Sequence, residues 1–210
     1  GIVALVTRGR QELAGLARRV DLALGDSEYN RQELETLGFP KTAVFPIAVN
    51  TARLTEAPPR PALERVLRDG LTNILFVGRI APNKKLEDHL RLAEHYKRYV
   101  DAFHRFIFVG REDACPRYYA MLRALMTRYG MTSERFWFVG PVPDADLAVF
   151  YRTASAYVSL SEHEGFCVPL LEAMAADVPV LAYASTAVPE TTPSPAGTAW
   201  TTSSAPTTGM

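Results

Sequence analysis

Short runs of uninterrupted apolar residues alternate with longer amphipathic stretches along most of this chain, and no other feature constrains its fold as strongly. The runs are Asp21–Leu24, Ala43–Ile47, Asn73–Val77, Arg105–Val109, Arg135–Val139, Ala156–Leu160 and Val178–Ala182. Nearly all are continuous apolar segments, as strands covered on both faces should be. The stretches between them predict helices at Gln11–Val20, Glu28–Leu37, Leu86–Val100, Tyr118–Tyr129, Asp146–Thr153 and Pro169–Ala176. Ser27 is placed to cap the second of these and Gly38 to close it. Strand and helix in regular alternation predict an α/β fold, a Rossmann-like parallel sheet with helices on both faces.

Three prolines between Pro58 and Pro61 interrupt the alternation, so TARLTEAPPRPALE is expected to be a linker. The residues before it, 1–57, hold too few strand and helix units to close a core alone. Residues 58–190 hold enough for a doubly wound domain. The last segment, 191–210, is almost all Ser, Thr, Pro, Ala and Gly and is expected to be disordered, because it has little apolar area to offset its ordering entropy.

Charge excludes some functions. Lys and Arg number 23 and Asp and Glu 23, so nothing suggests a nucleic-acid partner held by bulk charge. Any anion must be gripped locally. Cys115 and Cys167, without metal-ligand spacing, fit a reducing compartment better than a disulfide framework. No apolar run reaches the roughly 18 to 20 residues that span a bilayer, and the first residues are too short for a leader, so a cytoplasmic protein is expected. The chain opens at Gly1 rather than Met, and whether it is a natural short protein or part of a longer one stays open.

Ligands of open parallel sheets bind beyond the carboxyl ends of the strands, so the loops there carry the chemistry. After Asn73–Val77 comes GRIAPNKK: Gly78 clears the strand exit, Arg79 offers a fork for two phosphate oxygens, and Lys84 offers a compact cation. On the motif alone, solvated surface charges are the more ordinary reading. Arg111 follows the next strand in the same way, but Glu112 and Asp113 stand ready to neutralise it. After Arg135–Val139, Gly140-Pro-Val-Pro could set backbone groups against a flat base, or could be a plain turn.

The stretch SEHEGFCVPLLEAM, residues 161–174, puts seven residues between Glu164 and Glu172. Gly165 allows close approach, Pro169 sits in the first turn of a helix, and the amides of Phe166, Cys167 and Val168 form an anion site at the helix start. At roughly 1.5 Å per residue, Glu172 lies on the order of 7 Å beyond those amides. A ligand with phosphates at the amides could offer hydroxyls to a carboxylate at either end, which is the layout of a nucleotide sugar. His163 is read as structural. A carboxylate within VPLLEAMA is unwelcome unless something polar meets it.

These residues resemble the retaining glycosyltransferases of the GT-B fold. The resemblance rests on GRIAPNK (78–84), on SEHEGFCVPLLEAM, on PVLAYASTAVPE (179–190) and on DLALGDSEYNRQELETLGF (21–39), which is similar to the last strand and helix of that family's acceptor domain. It implies a GT-B C-terminal domain with an incomplete second domain, residues 1–57 being the end of the acceptor-side domain. Glu164 would lie nearest the reacting carbon and Glu172 at the ribose. Gly78, Arg79, Lys84, Gly165 and the amides of Phe166, Cys167 and Val168 would hold the diphosphate and sugar, and Val142 would lie at the base. It implies hexose transfer from a nucleotide-diphosphate sugar to a carbohydrate or lipid-linked acceptor, without metal or cofactor and with retention. Cys167 and Asp177 stand where many members of the family have glycine. The absent acceptor side could be supplied by a separate chain, a homo-oligomer stays open, and so does peripheral membrane contact. Two alternatives remain, a non-catalytic nucleotide-sugar-binding module and a GT-B epimerase.

Overall fold

The computed structural model describes residues 2–192 and 199–202, with backbone alone for 2–6 and 199–202. The chain runs α1 (Ile2–Leu16), β1 (Ala23–Gly25), α2 (Glu28–Thr36), β2 (Thr42–Val44), α3 (Ala52–Thr55), α4 (Pro61–Leu67) and β3 (Thr72–Val77). A 3-10 turn at Pro82–Lys84 leads to α5 (Leu86–Tyr99), β4 (His104–Val109), α6 (Pro116–Arg128), β5 (Phe136–Gly140) and α7 (Asp144–Thr153). The chain then continues through β6 (Ala156–Ser159), α8 (Val168–Ala175), β7 (Val180–Tyr183), α9 (Val188–Thr191) and β8 (Ala199–Thr202).

Six strands form one parallel sheet in the order β5-β4-β3-β6-β7-β8, and β1 and β2 form a separate parallel pair. This is the doubly wound order, in which the chain leaves β3 toward β4 on one side and later returns to β6 on the other. The loops after β3 and β6 therefore diverge at a switch point, and the crevice there is where such sheets place ligands.

The continuous apolar runs have the expected cause. Leu75, Ile107, Val109 and Tyr157 face one layer with α7 and α8, while Ile74, Phe76, Phe106, Phe108 and Val158 face another with α5 and α6. Each fully buried side chain of that size contributes roughly 1.5 to 3 kcal/mol. Among the described polar residues buried in these strands, the one that carries a full charge is Arg105 on β4, 2% exposed. It stacks 4.2 Å from the Trp137 ring centre and donates to Asn73 Oδ1 at 2.7 Å and to Asp69 at 3.1 Å, so its charge is paired where it is buried.

Three expectations need correction. The first helix lies at Ile2–Leu16 rather than 11–20, and Arg19 N already closes a turn onto Leu16 O at 2.8 Å. The presumed linker is partly helical: Leu54 of α3 and Leu67 of α4 enter the core beneath α7. Pro61 occupies the first turn of α4, where its missing N–H costs nothing, so these prolines punctuate helices instead of preventing them. Within the segment expected to be disordered, Ala199–Thr202 pair in parallel with β7 as a sixth strand. An open sheet edge offers backbone partners regardless of apolar content, and Thr and Trp favour strands. Residues 193–198 and 203–210 of that segment lie outside the described residues.

Candidate functional site

Gly78 ends β3, and its backbone is tied sideways to β4: Gly78 N donates to Val109 O at 2.9 Å and Ile80 N to Arg111 O at 2.9 Å. The two strand exits are so close that a Cβ on Gly110 would lie 2.1 Å from the Gly78 carbonyl oxygen, so only glycine fits at position 110. Arg111 is held by Asp113 at 2.9 Å, the local neutralisation expected of it. Arg79 is exposed and pairs with no described residue.

Beyond the 3-10 turn, Lys84 crosses the switch point. Its Nζ lies 2.7 Å from both carboxylate oxygens of Glu164, and the two side chains are 15% and 10% exposed. Two further contacts join the same loops: Glu162 N donates to Asn83 O at 2.9 Å, and Lys85 Nζ lies 3.2 Å from Glu162. The loops after β3 and β6 are thus zipped into one rim. Thr186 completes it from the β7 side, receiving from Glu164 N at 2.8 Å and donating to Glu164 O at 2.7 Å.

Cys167 precedes α8 with φ 59° and ψ 58°, a left-handed conformation that suits glycine better. Its position aims the chain from the loop into the helix, and the amides of Phe166, Cys167 and Val168 donate to no described group. Burial pushes the Cys167 thiol up to about 12, with the nearby Glu164 adding to the effect, so it is not a nucleophile at neutral pH. Gly165 lies against the other unit: a Cβ there would come 3.1 Å from Asn30 Nδ2 and 3.3 Å from Asp26 Oδ2.

Glu172 is 2% exposed on α8. Its Oε1 is paired with Arg53 of α3, which also reaches Asp144, and its Oε2 accepts from Tyr151 Oη at 2.8 Å. Burial, reinforced by the Glu172 charge, holds the Tyr151 phenol well above its usual range. Tyr157 on β6 is raised as well, by burial first and then by the negative groups around it, among them Glu164 and Glu172. The two carboxylates therefore bear on the same strand, each against its own cation. Val142 is half-buried against the α7–α8 layer, which turns its side chain inward.

Of the residues singled out, Lys84, Glu164 and Cys167 come together. Glu172 joins a neighbouring cluster, and Arg79 reaches none of them. His163 is exposed, with its ring 6.0 Å from Tyr29 across an open cleft of about 950 Å³ against α2. Sequence reasoning missed Arg53, Tyr151 and Glu190. Arg53 meets Glu172 across 119 positions, and Glu190, exposed on α9, accepts from the amides of Glu28 and Tyr29 at 2.6 and 2.8 Å. Contacts so distant leave no local periodicity. The signal for Tyr151 was the lone carboxylate in VPLLEAMA, which called for a polar partner. Among the described residues, no three His, Cys, Asp or Glu side chains gather where they could hold a metal ion, and no helix is long and apolar enough to cross a membrane.

A parallel sheet of this order, with helices on both faces, is the Rossmann-like domain of the GT-B fold. The sequence profile of the family described as glycosyl transferases group 1 matches residues 64–197, well over half the chain, and the chain belongs to that family. It is 29% identical over 168 residues to the GDP-mannose-dependent alpha-mannosyltransferase of Mycobacterium tuberculosis (strain CDC 1551 / Oshkosh), covering 80% of this chain and 40% of that protein. A shorter match, 45% identical over 53 residues, covers 25% of this chain and 14% of the O-antigen chain mannosyltransferase B of Escherichia coli. The chain thus spans less than half the length of these curated relatives. Among solved structures, Anabaena HepE in complex with UDP-glucose superposes with a TM-score of 0.77 at 17% identity, over 91% of this chain and 54% of that one. Sucrose-phosphate synthase from Thermosynechococcus elongatus superposes with a TM-score of 0.69 at 22% identity, over 84% and 44%. At such identities these structures establish the fold alone.

Proposed function

We propose that this chain supplies the donor-binding half of a hexosyltransferase that takes a sugar from a nucleoside diphosphate and transfers it with retention, without a metal ion, to a carbohydrate or lipid-linked acceptor. The observation that carries the reading is the Lys84–Glu164 ion pair across the switch point. It sets a cation and a carboxylate within one contact of each other, beside a helix start whose amides donate to no described group, and this supports a diphosphate and a sugar meeting there. In this reading Arg79, Lys84 and the amides of Phe166, Cys167 and Val168 receive the diphosphate. As the nucleotide leaves, negative charge grows on its terminal phosphate, and those groups stabilise it. Glu164 orients the hexose and stabilises positive charge at its anomeric carbon, while attack from the face the nucleotide vacates preserves configuration. Glu172 takes the ribose hydroxyls, and the Gly140–Val142 turn takes the base through its backbone.

The names of the two mannosyltransferase relatives make GDP-mannose the first donor to test. Residues 1–57 read as the acceptor-side end of the enzyme, and its remainder, on the same or another chain, would complete the cleft. Calorimetric titration of the purified chain with GDP-mannose, UDP-glucose and ADP-glucose tests this. The expected result is micromolar to millimolar binding of one donor, at least tenfold weaker in Lys84→Met, and no transfer by the chain alone. Equal affinity of Lys84→Met and wild type for every donor would remove the diphosphate from this crevice.

A further inference from the structure

Glu172 is a carboxylate with almost no access to water, and its partners divide its two oxygens between them. Arg53 takes Oε1 and Tyr151 takes Oε2. Tyr151 is itself fully buried, and its hydroxyl also lies 3.2 Å from the carbonyl of Pro169 in the first turn of α8. Arg53 comes from α3, in the stretch between the two sheets, and its second nitrogen is anchored on Asp144 at the start of α7. Three elements, α3, α7 and α8, thus converge on one carboxylate. Leu54, next to Arg53, is 4% exposed beneath α7, which fixes the helix that carries the arginine.

Such a clamp does more than compensate a buried charge. A single cation at one oxygen would leave the carboxylate free to rotate, whereas one partner on each oxygen fixes its plane. Each oxygen keeps further acceptor capacity, so a held carboxylate presents two acceptors side by side, the complement of two hydroxyls on adjacent carbons. Pre-organisation of that kind appears as selectivity, because a ligand lacking one hydroxyl leaves one oriented acceptor unused.

We propose that Arg53 and Tyr151 are positioning residues that lock the Glu172 carboxylate for the vicinal diol of a ribose, and so set the preference for ribonucleotide over 2′-deoxyribonucleotide donors. The inference rests on the assignment of Glu172 to the ribose made above. It makes the segment between the two sheets part of nucleotide recognition rather than a tether.

The test is the ratio of dissociation constants for 2′-deoxy-GDP and GDP, with the corresponding uridine pair run in parallel, measured by calorimetry on the full chain. A hydrogen-bonded hydroxyl lost at a charged, buried acceptor predicts a ratio of roughly tenfold or more in the wild type. Tyr151→Phe, which removes one oxygen atom, and Arg53→Gln should each reduce the ratio to about threefold or less. Arg53→Lys, which keeps the charge without the fork, should lie between. Glu172→Gln reports separately on the ribose assignment: a ratio unchanged there overturns that assignment and this inference together. A ratio that collapses in Glu172→Gln but persists in Tyr151→Phe and Arg53→Gln overturns this inference alone, since a merely structural role would weaken both nucleotides in parallel. If Arg53→Gln does not fold, Tyr151→Phe decides. Failure of the wild type to bind any of the four nucleotides overturns both readings.

Discussion

Lys84 and Glu164 meet across the switch point of the sheet, eighty residues apart in sequence, with one ammonium 2.7 Å from both oxygens of one carboxylate. The pair places two groups of opposite sign side by side, the complement of a ligand that carries both a negative charge and hydroxyls. The two satisfy each other in the folded chain, so under the proposed reading a diphosphate would have to compete with Glu164 for the lysine.

That competition separates two variants. Lys84→Met should weaken GDP or UDP binding at least tenfold, and because it leaves a mostly buried carboxylate short of its cation it should cost about 3 kcal/mol of stability. Glu164→Gln frees Lys84 and should leave nucleoside diphosphate affinity unchanged or tighter, while abolishing any transfer by the completed enzyme. Calorimetry with denaturant titration reads both effects. A Glu164→Gln variant that binds nucleoside diphosphate as poorly as Lys84→Met would mean that the two residues do not compete.

Glu190 makes a second long-range prediction. The first three amides of α2 are fully accounted for: Glu28 and Tyr29 donate to Glu190, and Asn30 donates to Ser27 Oγ at 3.1 Å. A carboxylate at a helix start gains from both the orphan donors and the dipole. Glu190→Ala should lower stability by about 1 kcal/mol. It should also speed hydrogen exchange at Glu28 and Tyr29 without changing α5. Unaltered exchange at those two amides would show that the cap is not formed in solution.

Much of this was legible in the sequence, and the reasons for the rest are specific. Strands β3 to β7 showed as apolar runs because both faces are covered, and Ser27 and Gly38 marked α2 because capping is a local matter. The loops carrying Lys84 and Glu164 followed from the rule about strand ends. What the sequence does not show is the identity of partners within the chain: nothing local in it pairs Glu164 with Lys84, which it holds in the fold. The prolines around position 60 outweighed the helical pattern of PALERVL, so Arg53 passed as linker. Cys167 and Asp177, noted as departures from glycine, both adopt positive φ, 59° and 56°. Composition alone gives no reason to expect glycine at those two positions; backbone geometry does.

Asp177 offers a clean test of that geometry. It is the residue after the C-cap of α8, and the closing bonds run from Asp177 N to Met174 O and from Val178 N to Ala173 O, at 3.1 and 3.0 Å. This pattern favours a left-handed residue at position 177, with glycine the most comfortable. Because Asp177 is exposed, little packing is lost on substitution. Asp177→Gly should stabilise the chain by about 0.5 to 1 kcal/mol and Asp177→Val should destabilise it by at least about 1 kcal/mol. The reverse order of melting temperatures would contradict the assigned conformation.

His89 gives the pH prediction. Its ring is fully buried between Phe76 and Phe108, with Nδ1 3.1 Å from the carbonyl of Lys85 and Nε2 3.2 Å from that of Val158. Burial pushes its pKa below the usual 6.5; the two carbonyls and the nearby Asp88 and Glu87 pull upward and lose. The unfolded chain therefore takes up a proton first as pH falls, and stability present above about pH 6.5 declines below it by up to about 1.4 kcal/mol per unit until the folded ring also titrates. The ring ties α5, just beyond Lys84, to β6, just before Glu164, so acid should loosen nucleotide binding along with the fold. In denaturant titrations between pH 7 and 5, His89→Gln should be less stable than wild type at pH 7 but show a flatter slope. Parallel slopes for the two proteins would assign the acid sensitivity to other groups.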